Sequence, residues 1–245
     1  MCGRIVQVLS PVDVAAAMDA VLDPTFGADP AWAPRWNLPP TALASIVTPA
    51  EGGRVLERAV WGLPGGRTEG GDGRLRSLFN ARAETVDRLP SFREPFRAGR
   101  VVVPVDAFYE WENPEHLATG GRGTAPAGRR QPWAFLPTRG PLLALAGISA
   151  RVATVDGEPI RAFSLITTEA NAVVGAIHDR MPVILDAAAI GRWLDPTTDR
   201  AALFPLLSPA PDGWLAARRV STAVSNARNE GAALLEEVAA EPRLF

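Results

Sequence analysis

"RVVVPVDAFYEWE" (100–112) is the stretch on which the fold turns. Its run of β-branched and aromatic residues predicts a strand, closed by an acidic end. The next residues, "NPEHLATGGRGTAPAGRRQ" (113–131), break that pattern with Gly, Pro and Arg. "PWAFLP" (132–137) then resumes extended structure. The order predicts a long hairpin with a flexible Gly/Arg-rich insertion at 113–131 as its tip.

Working outward, "RIVQV" (4–8), "LASIVT" (43–48), "RVLERAVWGL" (54–63), "RAFSLITT" (161–168) and "MPVIL" (181–185) also read as strands. "SPVDVAAAMDAVL" (10–22) reads as a helix, with Ser10 as N-cap, Pro11 at the first position and Asp13 as a capping carboxylate. "EANAVVGAIH" (169–178), "DAAAIGRWL" (186–194) and "RAALFPLL" (200–207) have helical character. "PAWAPRWNLPPT" (30–41) is Pro-punctuated and predicts an ordered loop, and "GGRTEGGDG" (65–73) a flexible one. Strands come in runs without regular βαβ alternation, which predicts an α+β fold that a barrel-like sheet would fit. No stretch reads as a linker, so residues 1–245 are taken as one domain.

Hydrophobic residues make up 47% of the 245, enough for a sizeable core. The longest apolar run, "PLLALAGI" (141–148), is strand-sized and far short of the roughly 20 residues that span a bilayer. A secretory leader is not evident, and a single cysteine allows no internal disulfide, so an intracellular, cytoplasmic setting is expected. The net charge of −2 points to no partner, but its distribution is uneven. All 25 basic residues are Arg, a bias that a GC-rich genome would also produce. Residues 67–100 hold eight Arg against five acids, and residues 113–139 four against one. That unevenness permits a local anion-binding face.

The one cysteine stands second, in "MCGR". Methionine is ordinarily removed before a residue this small, which would leave Cys2 with a free α-amine beside its thiol. The two groups ordinarily titrate near about 8 and about 8.5, so each is partly nucleophilic at neutral pH. A 1,2-aminothiol condenses with an aldehyde to an imine and closes on it as a five-membered thiazolidine. Acyl transfer, with the amine as base, is the other chemistry open to it. A lone cysteine in mid-chain is best read as a small buried hydrophobe. Termini seldom lie deep in a core, so at position 2 a functional thiol is the better reading. Arg4 could lower that thiol's pKa or hold a phosphate, or be a surface arginine.

Four further stretches carry reactive side chains. "FNARAET" (79–85) places Asn80, Arg82 and Glu84 at alternate positions, on one face if extended. Glu110 ends a strongly apolar strand, where desolvation would raise its pKa toward acid–base use; a surface glutamate reads equally well. "IHDRMPVIL" (177–185) holds one of two histidines, His178, near a helix end. "WNLPPT" (36–41) sets an aromatic, an amide and a stiff diproline in one turn.

Taken with "MCGR", "RWNLPPT", "AVWGL", "FNARAET", "VVPVDAFYEWE", "ITTEAN", "IHDRMPVIL" and "VSTAVSNARNEG", in that order along nearly the whole chain, the sequence resembles the SRAP family, the SOS-response-associated peptidase-like proteins. The resemblance implies a barrel-like, mostly antiparallel β-sheet core with peripheral helices and a groove for single-stranded DNA. It implies recognition of abasic sites there and a thiazolidine DNA–protein crosslink through Cys2. Asn80 would position the reacting amine and sugar. Glu110 would move protons, and His178 would assist opening of the deoxyribose and reversal of the link. Arg4, Arg82 and Arg180 would hold phosphates. Trp111 would pack behind the site and Thr167 contact backbone. Asn37, Pro40 and Trp61 would shape the groove and stack or wedge beside bases. Two positions depart from the family's pattern: "WGL" is followed by a Gly-rich loop rather than Ile-Pro and a second Trp, and Glu112 stands where Lys is common.

Two other classes compete with this reading. One is an N-terminal-nucleophile cysteine peptidase or amidohydrolase. Class II glutamine amidotransferases also begin Met-Cys-Gly, but their Gly-His-Thr-Arg-like stretch is missing here. The other is a non-covalent single-stranded-DNA binding module. The spacing of two histidines and one cysteine suggests no metal site, no cofactor is expected, and a monomer is the default.

Overall fold

The run 100–112 is two strands rather than one, and the break at Asp106 sends them into different sheets. The computed structural model describes residues 2–24, 26, 32–67, 75–112, 130–153 and 159–239. β9 (Arg100–Val105) is buried at every position and lies in a large sheet, whereas β10 (Ala107–Trp111) enters a second, five-stranded sheet. Asp106 fixes the crossing. Its carboxylate accepts from the backbone N–H of Val8 at 2.7 Å and Leu9 at 3.3 Å, and its own N–H donates to Val6. These bonds hold β1 (Ile5–Gln7) antiparallel to β10, so the chain's first strand sits against the end of the decisive stretch.

The large sheet closes on itself. β13 (Pro159–Glu169), β12 (Leu143–Ala153), β9, β4 (Leu43–Ala50) and β5 (Gly53–Trp61) follow one another antiparallel. A parallel pairing of β5 with β13, at Val60↔Ala162 and Trp61↔Phe163, completes a five-strand barrel. Closure leaves these strands no open edge. The fold is thus α+β with a mostly antiparallel barrel, as the sequence led us to expect. Beyond the closure, β13 also receives β8 (Asn80–Arg82) in parallel and β14 (Arg180–Pro182) antiparallel, and β12 receives β15 (Ile184–Leu185) antiparallel. Asn80, Arg82, Thr167 and Arg180, which lie far apart in sequence, therefore converge on one strand end.

The five-stranded sheet runs β16 (Leu215–Arg219), β11 (Pro132–Pro137), β10, β1 and β3 (Arg35–Leu38). Alternation divides the core: Val101, Val103 and Val105 face the five-stranded sheet, while Val102 faces the helices. The first layer also holds Ile5, Leu38, Trp61, Phe163 and the stacked pair Phe108–Phe135, with ring centroids 4.9 Å apart. The second is covered by α1 (Pro11–Met18), α2 (Pro90–Ala98) and α4 (Ala187–Leu194) through Val14, Phe92, Phe96 and Trp193. A third cluster, around Val6, Tyr109 and Ala134, is roofed by Val220, Val224 and Leu234 of the C-terminal segment.

Four local readings are corrected. The helix expected over 10–22 ends at Met18, because Asp19 turns left-handed at φ 50° and caps it. Val21 and Leu22 form β2 (Val21–Leu22), paired with β5. The loop expected over 30–41 contains β3; its four residues lie between Pro34 and Pro39, at a sheet edge where flanking prolines are tolerated. The helix expected over 169–178 is the single turn α3 (Ala172–Gly175), capped by Asn171. Its first residue belongs to β13, whose pairing with β14 outweighs local propensity. The helical reading of 200–207 divides into α5 (Arg200–Leu203) and a tighter 3-10 turn at Phe204–Leu207. The hairpin joining β10 to β11 is present, and most of its insertion, 113–129, lies outside the described residues. So does most of the 65–73 loop; its first residues extend β6 (Leu63–Arg67), which pairs with β7 (Leu75–Leu78).

Candidate functional site

Cys2 precedes β1 and is completely buried, packed in the layer that holds Ile5, Trp61 and Phe108. Asn80, the first residue of β8, donates from Nδ2 to the Cys2 carbonyl at 2.7 Å. Its Oδ1 is buried with no hydrogen-bond partner among the described residues. The amide thus fixes the backbone of the nucleophile and keeps one acceptor in reserve. Burial pushes the Cys2 thiol above its usual range, and the Glu110 charge pushes it further; the positive amino terminus and the Arg4 backbone N–H pull the other way. Where an isolated thiol would be partly ionised, burial here favours the neutral S–H of Cys2.

Glu110 is 2% exposed on β10. Burial pushes its carboxyl up to about 7, opposed by the amino terminus and reinforced by the charge of Asp179. A carboxyl poised there is both a competent acid and a competent base at neutral pH.

His178 follows α3 in the turn leading to β14. Its Nδ1 lies 3.0 Å from the Arg180 backbone N–H, which needs a bare lone pair, and 2.9 Å from Asp179 Oδ1, which needs a proton. The ring's Nδ1 thus faces one donor and one acceptor. Arg180 forms a bidentate pair with Glu84 at 2.6 and 3.0 Å and also donates to the Thr167 carbonyl. The hydrogen bond from Arg180 holds the Glu84 carboxyl below its usual range. Exposed Arg82 shares a cleft with Arg180, Glu169, Ala170, Gly175 and Asp179.

The family model described as SOS response associated peptidase (SRAP) matches residues 1–227. The chain belongs to the SRAP family. Abasic site processing protein YoqW of Bacillus subtilis is 35% identical over 165 residues, covering 65% of this chain and 66% of that protein. Abasic site processing protein YoaM of the same organism is 31% identical over 241 residues, covering 96% of this chain and 98% of its own. A crystal structure of a Bacteroides thetaiotaomicron protein shares the fold, with a TM-score of 0.79 and 22% identity over 97% of this chain and 100% of that one.

In this SRAP chain Arg4, Asn37 and Trp111 fall into a second group, tied to the C-terminal segment. Arg4 donates from one guanidinium nitrogen to Asn37 Oδ1 at 2.6 Å and to the Val224 carbonyl at 2.8 Å, and it lies 5.6 Å from the Trp111 ring centre. Asn37 is fully buried and donates to the carbonyls of Val224, Asn226 and Asn229. It is a clasp between β3 and the C-terminal segment, with no face for a base. Trp111 donates to Ser225 Oγ. Trp61 is also fully buried, stacked on Phe163 and donating to the Phe79 carbonyl. The expectation that Trp61 stacks or wedges beside bases is corrected: a ring this covered supports the site from within. Thr167 is buried and offers its backbone carbonyl to Arg180. Pro40 is half-buried in a turn closed by the Ala42 N–H on the Pro39 carbonyl, with Thr41 at φ 72°.

Sequence reading missed two neighbours of Glu110. Trp133 on β11 lies opposite Glu110, and Arg219 on β16 lies opposite Trp133. Only the strand register joins them. No group of three His, Cys, Asp or Glu among the described residues could hold a metal, and no helix there is long and apolar enough to cross a membrane.

Proposed function

We propose that this SRAP protein captures abasic sites in single-stranded DNA, as a thiazolidine on Cys2 after Met1 is removed. The observation that carries the reading is the Cys2–Asn80–Glu110 arrangement: a buried thiol, an amide fixing its backbone, and a carboxyl near neutrality whose charge reaches the sulfur. The names of the relatives as abasic site processing proteins support it.

The chemistry fits the protonation states. The α-amine of Cys2 attacks the aldehyde carbon of the ring-opened sugar, giving a carbinolamine. Glu110 in its acid form protonates the departing hydroxyl, and water leaves as the imine forms. The thiol then adds to the imine carbon, so sulfur gains the C–S bond and the S–H proton passes to the nitrogen. The net products are one thiazolidine and one water. A thiol that reaches this step as neutral S–H supplies the proton the nitrogen needs, and Glu110 in its base form can relay it. Once Met1 is gone, the nitrogen beside the sulfur is that of Cys2 itself, and its protonated imine favours thiolate for the attack. The unpartnered Asn80 Oδ1 is suited to accept from that amine. His178 assists ring opening, and Arg82 and Arg180 hold flanking phosphates, with Arg180 exchanging Glu84 for the DNA.

The test combines denaturing gels with intact mass. Wild type and Cys2→Ala are mixed with single-stranded DNA carrying one abasic site and with undamaged DNA. The expected result is a heat-stable adduct for wild type on abasic DNA alone, at the mass of protein lacking Met1 plus DNA minus one water. Processed, folded wild type that yields no adduct sinks the reading. Turnover of acyl substrates by the same protein would then favour the peptidase in the family's description.

A further inference from the structure

We propose that Trp133 and Arg219 form a nucleotide subsite for the DNA strand flanking the captured lesion, with a backbone phosphate on Arg219 and a base against Trp133. The inference rests on the DNA-capture reading above and extends its site across the five-stranded sheet.

Glu110, Trp133 and Arg219 are successive cross-strand partners on β10, β11 and β16. Residues directly opposite in an antiparallel pair share a face. The next row on that face is Phe108, Phe135 and Ala217, with both phenylalanines in the layer that contains Cys2. The row 110–133–219 therefore lies on the Cys2 side of the sheet. Two inter-strand steps of ~4.8 Å place the Arg219 backbone roughly 10 Å from that of Glu110.

Arg219 is half-buried, its Nε is fully covered, and among the described residues its guanidinium has no hydrogen-bond or ion-pair partner. Arg218 provides the contrast on the opposite face, where it donates to the Leu235 carbonyl at 2.9 Å. Two adjacent arginines on one strand thus differ in one respect: the fold satisfies one and leaves the other for an outside acceptor. Trp133 donates from its indole N–H to Glu112 at 2.9 Å, which orients a ring that remains only partly covered. Glu112 is occupied by that bond, and Arg219 supplies the row's positive charge. An oriented aromatic beside an unpaired guanidinium suits an unstacked base and its phosphate, without regard to sequence.

The experiment uses a fluorescent single-stranded oligonucleotide with a central tetrahydrofuran abasic analogue, which has no aldehyde and cannot be captured. Anisotropy gives Kd over a series of KCl concentrations for wild type, Arg219→Gln, Arg218→Gln and Trp133→Leu, each first shown to melt cooperatively. Arg219→Gln is expected to weaken binding about tenfold at low salt and to flatten the log Kd against log salt slope by about 0.7. Trp133→Leu is expected to weaken binding while leaving that slope unchanged, and Arg218→Gln to leave both within about twofold of wild type. Wild-type affinity and slope in a folded Arg219→Gln, with wild type still forming the covalent adduct, overturn the subsite alone. A wild type that neither binds this oligonucleotide nor forms the adduct overturns the DNA reading with it.

Discussion

The two faces of the five-stranded sheet handle polar side chains in opposite ways. On the face under the C-terminal segment, Arg4, Asn37 and Arg218 all end on backbone carbonyls of residues 224–235. Arg35 and the Trp36 N–H close the same side on Glu230. On the face toward the barrel, burial pushes a thiol and a carboxyl above their usual ranges. Among the described residues, Asn80 Oδ1 is covered with no hydrogen-bond partner there, and the Arg219 guanidinium, unlike that of Arg4, makes no hydrogen bond or ion pair. Satisfied polar groups hold a fold together, whereas groups displaced from their ordinary state or left incomplete are the candidates for chemistry and binding. The arginine nearest the nucleophile in sequence, Arg4, belongs to the first face, and one 217 residues from Cys2, Arg219, belongs to the second.

Substitutions on each face sharpen or break that contrast. The largest effect is expected from Cys2→Ala, which should reduce adduct to the background of undamaged DNA while the protein still melts cooperatively. Retained adduct would move the nucleophile elsewhere.

Glu110→Gln is next. Its adduct rate should fall about 100-fold or more, with loss of the rate change near pH 7. Its stability should move the other way. Folding raises this carboxyl from 4.5 to about 7, so the folded protein retains a proton that the unfolded chain releases in that window. Wild-type stability should therefore fall as pH rises from 4.5 to 7, by an amount approaching about 3 kcal/mol. Glu110→Gln should be flat there. Urea unfolding of both proteins from pH 4.5 to 8 measures the difference, and parallel curves would refute a carboxyl held proton-bound by burial.

On the satisfied face the signs reverse. Asn37→Ala strips partners from three carbonyls and from Arg4, and should cost about 3 kcal/mol in urea unfolding. The protein that remains folded should keep the pH dependence of capture. A loss of capture in fully folded Asn37→Ala would show the clasp to be part of the reactive site. Arg218→Gln is the smallest change expected, at about 1 kcal/mol of stability. Thermal melts compared with Arg219→Gln, expected to be near wild type, test whether the two arginines differ as their contacts indicate.

Much of the site was readable before the fold. "MCGR", Asn80 in "FNARAET" and Glu110 at the end of an apolar strand each carried a chemical reason, and Cys2, Asn80 and Glu110 lie together. The misreadings share one cause. Val21 and Leu22 continue a helical spacing, and residues 169–178 have helical composition, but partner strands claim the backbone in both places. Trp61 and Asn37 looked like groove residues because aromatic and amide side chains serve DNA well. Their complete burial depends on Phe163 and on carbonyls almost 190 residues away, which local composition does not encode.

By itself the sequence determined most of the longer extended segments, because side-chain alternation and β-branching act over a few residues. It also determined that the single thiol stands where removal of one residue makes an aminothiol. Tertiary structure alone decided that the run 100–112 would cross between sheets at Asp106, that β5 would meet β13 and close the barrel, and which of Arg218 and Arg219 would reach a backbone carbonyl. Strand pairing and burial are settled by residues distant in the chain, so a local pattern can supply the reactive groups but not their neighbours.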